Sequence, residues 1–511
     1  MACGARYDSA CYTSWQSSGL VHQYAELRVR GHTLATGSQQ PASGVVSLSR
    51  RIGGWFGDHQ AVAWWMSVLR LGLFQLGMGI ALAPITGTLN RVLIGDMRIP
   101  AVVVASLMAI HYFVSPVRAV FGYKSDQHRA QGRWRTPYVV LGAVMTYGGL
   151  ATAPFSLLLL GADSPIPFEA ALLACFAIFL AYGIGVNIVE TTYLALVSDI
   201  TPPHDRGKVL AVLWMMLVLG TIVSSIVVGA MLQTYSPMLL IQIMQGSAVI
   251  YVVLTAVALL GRERLREDGT LVSYTDDIRV RLTLVQQLQV LWRQQALRAL
   301  FIVLFGGTLA LATHDVLLEP YGGQVLGMSV AATTQLTALW GVAMVVGIAA
   351  AGLLLWRGRS AIGLIIGGCV VGALGFLVVT VAGGAMEVNL FRGGVMLIGA
   401  GRGTFIVGSV ALIMALADRE HAGLFLGLWG VTQALAQGIG TVGGGLARDV
   451  AQMQTGSVLL GYTVVYAASF VVLLLTLILI AAFRLGRQIQ AGAVRSPWAG
   501  LQDLPGDQIL F

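Results

Sequence analysis

One basic stretch decides how the chain is interpreted: Arg118-Ala-Val-Phe-Gly-Tyr-Lys-Ser-Asp-Gln-His-Arg-Ala-Gln-Gly-Arg-Trp-Arg-Thr-Pro137. It lies between two apolar runs, so it predicts a short loop that joins two membrane helices. Gly122 is predicted to end the first helix sharply, and Asp126 could meet the positive end of a neighbouring helix. Arg133 and Arg135 would hold the loop on the cytoplasmic side of the membrane.

Composition places the whole chain in a membrane. Of its 511 residues, 56% are hydrophobic and 11% are charged, whereas about a quarter are charged in a soluble domain. Apolar runs long enough to cross a bilayer recur from 68 to 483. The net charge of +8 resides mainly in alternate connections. This pattern predicts that both termini are cytoplasmic and that nucleic acid is not a partner.

The runs predict an all-α membrane protein with twelve transmembrane helices in two pseudo-symmetric six-helix bundles. The predicted spans are about 68–93, 100–121, 137–160, 168–199, 207–233, 238–260, 298–318, 326–355, 361–383, 391–416, 422–447 and 457–483. The predicted domains are a cytoplasmic tail with an interfacial segment (1–66), a first bundle (67–260), a cytoplasmic linker (261–297), a second bundle (298–484) and a cytoplasmic tail (485–511).

An internal repeat supports two equivalent halves. The segment Arg206-Gly-Lys-Val-Leu-Ala-Val-Leu-Trp214 is echoed 215 or 216 positions later by Ala422-Gly-Leu-Phe-Leu-Gly-Leu-Trp429. Both segments fall where the fourth span of a half gives way to the fifth. The spacing therefore indicates a half-length duplication.

Polar side chains within the spans are the candidates for function, because a charge at the centre of a bilayer costs roughly 2.5–3.5 kcal/mol on insertion scales. The candidates for ligand binding are Asn90, His111, Arg118, Glu190, His314, Glu319 and Arg402. The candidates for a conformational gate or loop motif are Gly122, Asp126, Arg133, Arg135, Asp199 and Arg206.

Several candidates have a structural alternative. His111 could contact a ligand or hydrogen-bond to a neighbouring helix, and Arg118 could anchor the inner boundary of span 2. Arg402 could pair with a carboxylate such as Glu190 or bind an acidic ligand. Asp199 is expected to form a cytoplasmic gate or a structural pair.

The sequence around Glu319 is the densest polar cluster. Pro320 and the glycines after it are expected to break the helix of span 7 and to free backbone carbonyls. Glu319 could then cap the turn between spans 7 and 8. An imidazole at this depth, such as that of His314, could bind a metal or respond to pH.

Four stretches, two of them from the basic loop quoted above, point to one family: Gly87-Thr-Leu-Asn-Arg-Val92, Gly122-Tyr-Lys-Ser-Asp126, Gly132-Arg-Trp-Arg-Thr-Pro-Tyr138 and Leu317-Leu-Glu-Pro-Tyr-Gly-Gly323. Together they resemble the PucC/LhaA family, the bacteriochlorophyll-delivery branch of the major facilitator superfamily. The resemblance covers about 65–485.

The resemblance implies a light-harvesting complex assembly factor that binds (bacterio)chlorophyll or a precursor and delivers it to antenna polypeptides. No cofactor of its own is expected, and His314 or His111 could supply an axial ligand to the pigment magnesium. The implied partners are antenna polypeptides, the lipid bilayer and, as a further option, pigment-synthesis enzymes. The implied location is a bacterial inner (cytoplasmic or photosynthetic) membrane.

The chain is not expected to be an enzyme. Prenyl transfer to a chlorophyllide needs paired Asp-rich motifs that hold magnesium diphosphate, and the one Asp-x-x-x-Asp spacing, Asp503 with Asp507, lies in the C-terminal tail. The alternative function is a proton-coupled secondary transporter of a small organic solute. Its coupling residue would be Glu190, Asp315 or Glu319.

Overall fold

The computed structural model describes residues 43–127, 135–161, 164–202, 205–261, 295–416 and 422–485. Most of the predicted linker lies outside these ranges, as does Arg133, and the side chains of Asp126 and Arg206 are not described. Residues up to Met66 and residues from Ser67 onward form separate compact units. The account below concerns the second unit, apart from the bounds of the first helix, which begins at Ser43. The predicted domain limits stay predictions.

Twelve helical segments, here called spans 1 to 12, follow one another in the order predicted. In the first half they are Ser43–Pro84 with π-helical turns Ile85–Leu89 and Val92–Asp96, Ala101–Phe113 with Val117–Gln127, Thr136–Thr152 with Ser156–Leu159, Phe168–Ile200, Arg206–Met231 and Pro237–Leu259. In the second half they are Gln295–Ala312 with Leu318–Gln324, Val330–Trp356, Ala361–Ala385, Val388–Leu416, Ala422–Thr455 and Val458–Ala482.

Nine of the described helices are long and apolar enough to cross a bilayer without interruption. The other three spans, 2, 7 and 11, do not meet this criterion, and each has a physical reason. Spans 2 and 7 are each broken into two shorter helices. Span 11 carries buried polar side chains such as Gln433, Arg448 and Asp449.

The first helix of span 2 ends earlier than predicted. The break lies at 114–116, where Pro116 lacks the N–H that a continuing helix needs. Gly122 lies inside the following helix, Val117–Gln127, and its carbonyl accepts a hydrogen bond of 2.8 Å from Ser125 Oγ. The prediction that Gly122 ends a helix was therefore wrong, because a helix interior tolerates one glycine at a cost of about 1 kcal/mol.

The break in span 7 also lies elsewhere than predicted. The chain leaves the helix after Ala312 and resumes it at Leu318. Pro320 is then the third residue of the new helix, where its missing N–H has no intrahelical partner to lose. The prediction that Pro320 and the following glycines break the helix was wrong, and 313–317 form the break.

The two halves pack their helices in the same way, position by position. A Cβ on Gly185 of span 4 would lie 2.6 Å from the Thr146 amide nitrogen of span 3. The residue 216 positions later, Gly401 of span 10, bears the same relation to span 9, at 2.5 Å from the Gly372 amide nitrogen. Small residues let the backbones approach this closely. The pseudo-symmetry inferred from the repeat is thus confirmed in the packing.

Between the halves, span 5 packs on span 8 and span 2 packs on span 11. Span 3, in contrast, exposes Val140, Leu141 and Val144, and its counterpart span 9 exposes Ile366 and Val370. Exposed apolar side chains suit contact with lipid. These faces of spans 3 and 9 therefore do not carry the polar candidates.

Replacement of a contact glycine should destabilise the protein. In G401V, the added side chain must push span 10 away from Gly372, so we expect a loss of about 1–3 kcal/mol of unfolding free energy, typical of overpacking. G393V is the matched control on the same span, since nothing lies within 4 Å of a Cβ at that position. Thermal unfolding of the detergent-purified variants measures both effects. Equal melting temperatures for the two variants would contradict the packing described.

Candidate functional site

The two ends of the spans differ in charge. Connections 2–3, 4–5 and 8–9 carry or adjoin Arg135, Lys208 and Arg357, and we call this the basic end. The other end, where spans 1 and 2 and spans 7 and 8 are joined, is called the opposite end.

At the opposite end, a buried network links span 1 to spans 7 and 8. The Asn90 side-chain amide donates to Glu319 Oε2 at 3.2 Å, and the Thr337 hydroxyl donates to Glu319 Oε1 at 2.8 Å. A hydrogen bond of 2.9 Å joins Thr88 and Thr334. Asn90 and Glu319 are 0% and 4% exposed. Glu319 therefore connects the two halves and does not merely cap a turn.

Gln324 is the second junction at this end. Its amide nitrogen donates to the Ile94 carbonyl at 3.1 Å. Its amide oxygen accepts from the Arg448 guanidinium at 2.8 Å and from the Tyr462 hydroxyl at 2.7 Å. We call Asn90, Glu319, Thr337 and Gln324 the inter-half network.

In the middle of the first half, Arg118 is paired with Glu190 at 2.7 Å, and it also donates to the Asn187 side chain. The Asn187 amide in turn donates to the His111 carbonyl at 2.8 Å. The Arg118 side chain is 42% exposed. Arg118 is thus held within the half by a carboxylate of span 4.

One nitrogen of the His111 ring is available to bind a ligand. Its Nδ1 lies 2.7 Å from the Met108 carbonyl. If Nδ1 carries the proton, Nε2 presents a free lone pair, and such a backbone contact is the usual way in which a ligating histidine is oriented. The residue is partly exposed, and the centroids of its ring and of the Tyr112 ring are 3.8 Å apart.

In the second half, Arg402 forms its ion pair with Asp315, at 2.6 Å. Its guanidinium also lies over the Trp340 ring, 5.4 Å from the centroid. The predicted internal ion pair of Arg402 therefore exists, but its partner is Asp315, because Glu190 belongs to Arg118. Which carboxylate each arginine meets depends on the rotation of the spans.

The two ion pairs face one another across the halves. The Tyr112 hydroxyl lies within electrostatic range of Glu190 in its own half. It is also within range of Asp315 and Arg402 in the other half. His111 is likewise near Asp315 of the other half. These residues therefore lie where the halves meet, and we call this region the central cleft.

His314 differs from His111 although both are candidate ligands. It is 2% exposed, and its ring meets the edge of Phe376 with centroids 5.5 Å apart. Its Nε2 lies 3.9 Å from Asp315 Oδ1. His314 therefore lies in the core of the second half, next to the central cleft.

At the basic end, the structure brings two predicted gate residues together. Arg135 Nε donates to Asp199 Oδ2 at 2.8 Å, and Arg135 Nη1 donates to Ser125 Oγ at 2.8 Å. Both members of the ion pair are buried. The expected pairing of Asp199 is thus seen, within the first half and between spans 3 and 4.

Sequence reasoning missed several residues of the site: Ser125, Asn187, Gln324, Thr337 and Trp340. Asn187 precedes Glu190 by three positions, a spacing that places both on one helix face. Gln324 directly follows the stretch that ends at Gly323. These positions could have been singled out. Thr337 and Trp340 carry no such signal, since they are ordinary residues of an apolar span.

Comparison with known proteins identifies relatives along most of the chain. The family model described as "PUCC protein" matches residues 88–487. "Protein PucC" of Rhodovulum sulfidophilum is 35% identical over 398 residues, which are 76% of this chain and 87% of that relative. The "Bacteriochlorophyll synthase 44.5 kDa chain" of Rhodobacter capsulatus is 31% identical over 398 residues, which are 76% of this chain and 89% of that relative.

Solved structures show the same fold at low sequence identity. A mutant of the nucleoside transporter NupG matches with a TM-score of 0.60 and 12% identity, over 82% of this chain and 99% of that one. Such a likeness establishes the fold alone. The chain is a multi-pass membrane protein with the major facilitator superfamily fold, as its sequence predicts.

The two ion pairs of the central cleft should differ in their contribution to stability. In D315A, the Arg402 guanidinium loses its counter-charge while its side chain is only 14% exposed, so we expect a loss of about 3 kcal/mol. In E190A, the exposed Arg118 side chain stays hydrated, so we expect about 1 kcal/mol or less. Thermal unfolding tests this difference, with D315L/R402M as the control in which both charges are removed. A larger loss in E190A than in D315A would contradict the pairing.

Proposed function

The chain belongs to the PUCC protein family, and on this premise we propose that it binds a (bacterio)chlorophyll-type pigment and delivers it to antenna polypeptides. The printed name of one relative connects the family with bacteriochlorophyll, which supports a role related to photosynthesis. The location that fits this role is a bacterial photosynthetic membrane, with the basic end and both termini in the cytoplasm.

The observation that carries the proposal is the Nε2 atom of His111 in the central cleft, which has no hydrogen-bond partner among the described residues. A magnesium tetrapyrrole takes an axial ligand from the protein, and a neutral imidazole is a suitable one. His111 is partly exposed and oriented by the Met108 carbonyl. His314 is less suited to this role, because Phe376 covers it and it is almost fully buried.

The aromatic residues of the cleft suit a flat, largely apolar ligand. Tyr112 adjoins His111 in the first half, and Trp340 lies under the Arg402 guanidinium in the second. Arg118 and Arg402 each have a carboxylate partner within the protein, so these two arginines add no excess charge to the described part of the cleft. A neutral pigment could enter it without leaving a buried charge unpaired.

We propose that the protein acts by binding and handing over the pigment and not by catalysis. The fold it shares with transporters supports this view, although one relative carries the name of a synthase. Antenna polypeptides would be the receiving partners, and pigment-synthesis enzymes could supply the ligand.

The proposal is tested by the pigment content of the purified protein. Protein isolated in mild detergent from a phototrophic host should show the absorption spectrum of a bound tetrapyrrole. H111L removes the axial ligand and should lower the pigment content by roughly tenfold or more, since loss of even an outer-shell partner of a metal ligand costs about 10–100-fold in affinity. H314L is the matched control and should keep the pigment.

Two outcomes would contradict the proposal. One is the absence of any tetrapyrrole from the wild-type protein together with normal antenna assembly in a deletion strain. The other is equal pigment content in H111L and the wild type. Solute uptake by proteoliposomes under a pH gradient would favour the alternative, a proton-coupled transporter.

A further inference from the structure

The three carboxylic acids named above as coupling residues differ in their surroundings. Glu190 and Asp315 each have a guanidinium partner, at 2.7 and 2.6 Å. Glu319 has none, since no Arg, Lys or His of the described ranges lies within ion-pair distance of its carboxylate. Its oxygens accept hydrogen bonds from neutral groups: the side-chain amide of Asn90, the hydroxyl of Thr337 and its own backbone N–H.

Because Glu319 is buried, the lack of a counter-charge affects its ionisation. Glu319 is 4% exposed, and an ionised carboxylate that is both buried and without a counter-charge is costly. The same side chain carries no charge when it binds a proton. We propose that Glu319 is a proton-binding site, and that the inter-half network closes the opposite end when this site is protonated.

The hydrogen bonds of the network are compatible with a bound proton. The Thr337 hydroxyl can accept a hydrogen bond as well as donate one. It can therefore accept a hydrogen bond from the O–H group of protonated Glu319. Its own hydrogen can then turn to the backbone carbonyl one turn earlier in span 8. The Asn90 amide continues to donate to the other oxygen. The protonated residue thus keeps both of its side-chain partners.

The charged groups near Glu319 in the described ranges do not form an ion pair with its carboxylate. On span 1, Arg91 is paired with Asp96 at 2.6 Å. On span 7, Asp315 is paired with Arg402, and His314 lies in the same break. Span 12 contributes the hydroxyl of Tyr466, which is in electrostatic range of Glu319. Span 8 contributes only Thr337 and Thr334.

Proton binding is therefore linked to the arrangement of the halves. Separation of span 1 from spans 7 and 8 would expose Glu319 to water, where the ionised form is stable. By linkage, the closed arrangement binds the proton more tightly than the open one. A rise in pH on this side shifts the population from closed to open.

The test measures the distance between the halves as a function of pH. Spin labels are attached at S164C, before span 4, and at M453C, near the end of span 11, in a variant that lacks the four native cysteines. Both positions are at the opposite end. In lipid nanodiscs, the wild-type distance should lengthen as the pH rises. E319Q, which is neutral at every pH, should keep the short distance and lose this shift.

E387Q is the matched control, because Glu387 is exposed in the connection between spans 9 and 10 at the same end. It should respond to pH as the wild type does. A distance that is independent of pH in the wild type would overturn the proposal, as would a pH response that E319Q retains.

Infrared difference spectroscopy detects the proton directly. A carboxylic-acid carbonyl band should disappear as the pH is raised, and this band should be absent in E319Q. T337V keeps the side-chain shape and removes the hydroxyl, so it should shift the band even if E319Q does not fold. Absence of the band from the wild type, or an unshifted band in T337V, would overturn the proposal. Neither measurement involves a pigment, so the outcome is independent of the proposed function.

Discussion

The cost of an ionised side chain inside a bilayer governs the polar structure of this protein. Such a charge is tolerated only beside a counter-charge or facing a polar space. Arg118 therefore pairs with Glu190 and Arg402 with Asp315. In each pair the two members belong to different spans. Charge compensation thus also fixes how the spans of a half are placed around the central cleft.

Contacts within a half and contacts between the halves are of different kinds. Within each half, small residues such as Gly185 and Gly401 bring backbones into direct contact, because lipid is as apolar as a leucine side chain and gives no hydrophobic drive to association. At the opposite end, hydrogen bonds from Asn90, Thr337 and Gln324 join the halves. Water can replace such bonds at a net cost of about 1 kcal/mol each. Close backbone packing therefore keeps each half stable, whereas the hydrogen bonds between the halves can be replaced by hydrogen bonds to water.

The two histidines show how the surroundings of a residue decide its chemistry. His111 and His314 are both imidazoles within the spans. His111 is partly exposed in the central cleft, with one nitrogen oriented by a backbone carbonyl. His314 is covered by Phe376 and belongs to the core. A large ligand that needs one axial nitrogen can therefore be accommodated by the first histidine without rearrangement of a packed core.

The sequence by itself determined the twelve spans and their two equivalent halves, since span length and apolar composition are local properties and the repeat preserves its spacing along the chain. It also marked the ionisable residues of the spans, because a charge in an apolar run is conspicuous, but it missed neutral partners such as Asn187, Gln324 and Thr337. Only the tertiary structure decided the partners: Asp315 for Arg402, and Asn90 with Thr337 for Glu319. Those choices depend on how helices distant in sequence rotate and slide against one another, and no local pattern encodes that geometry.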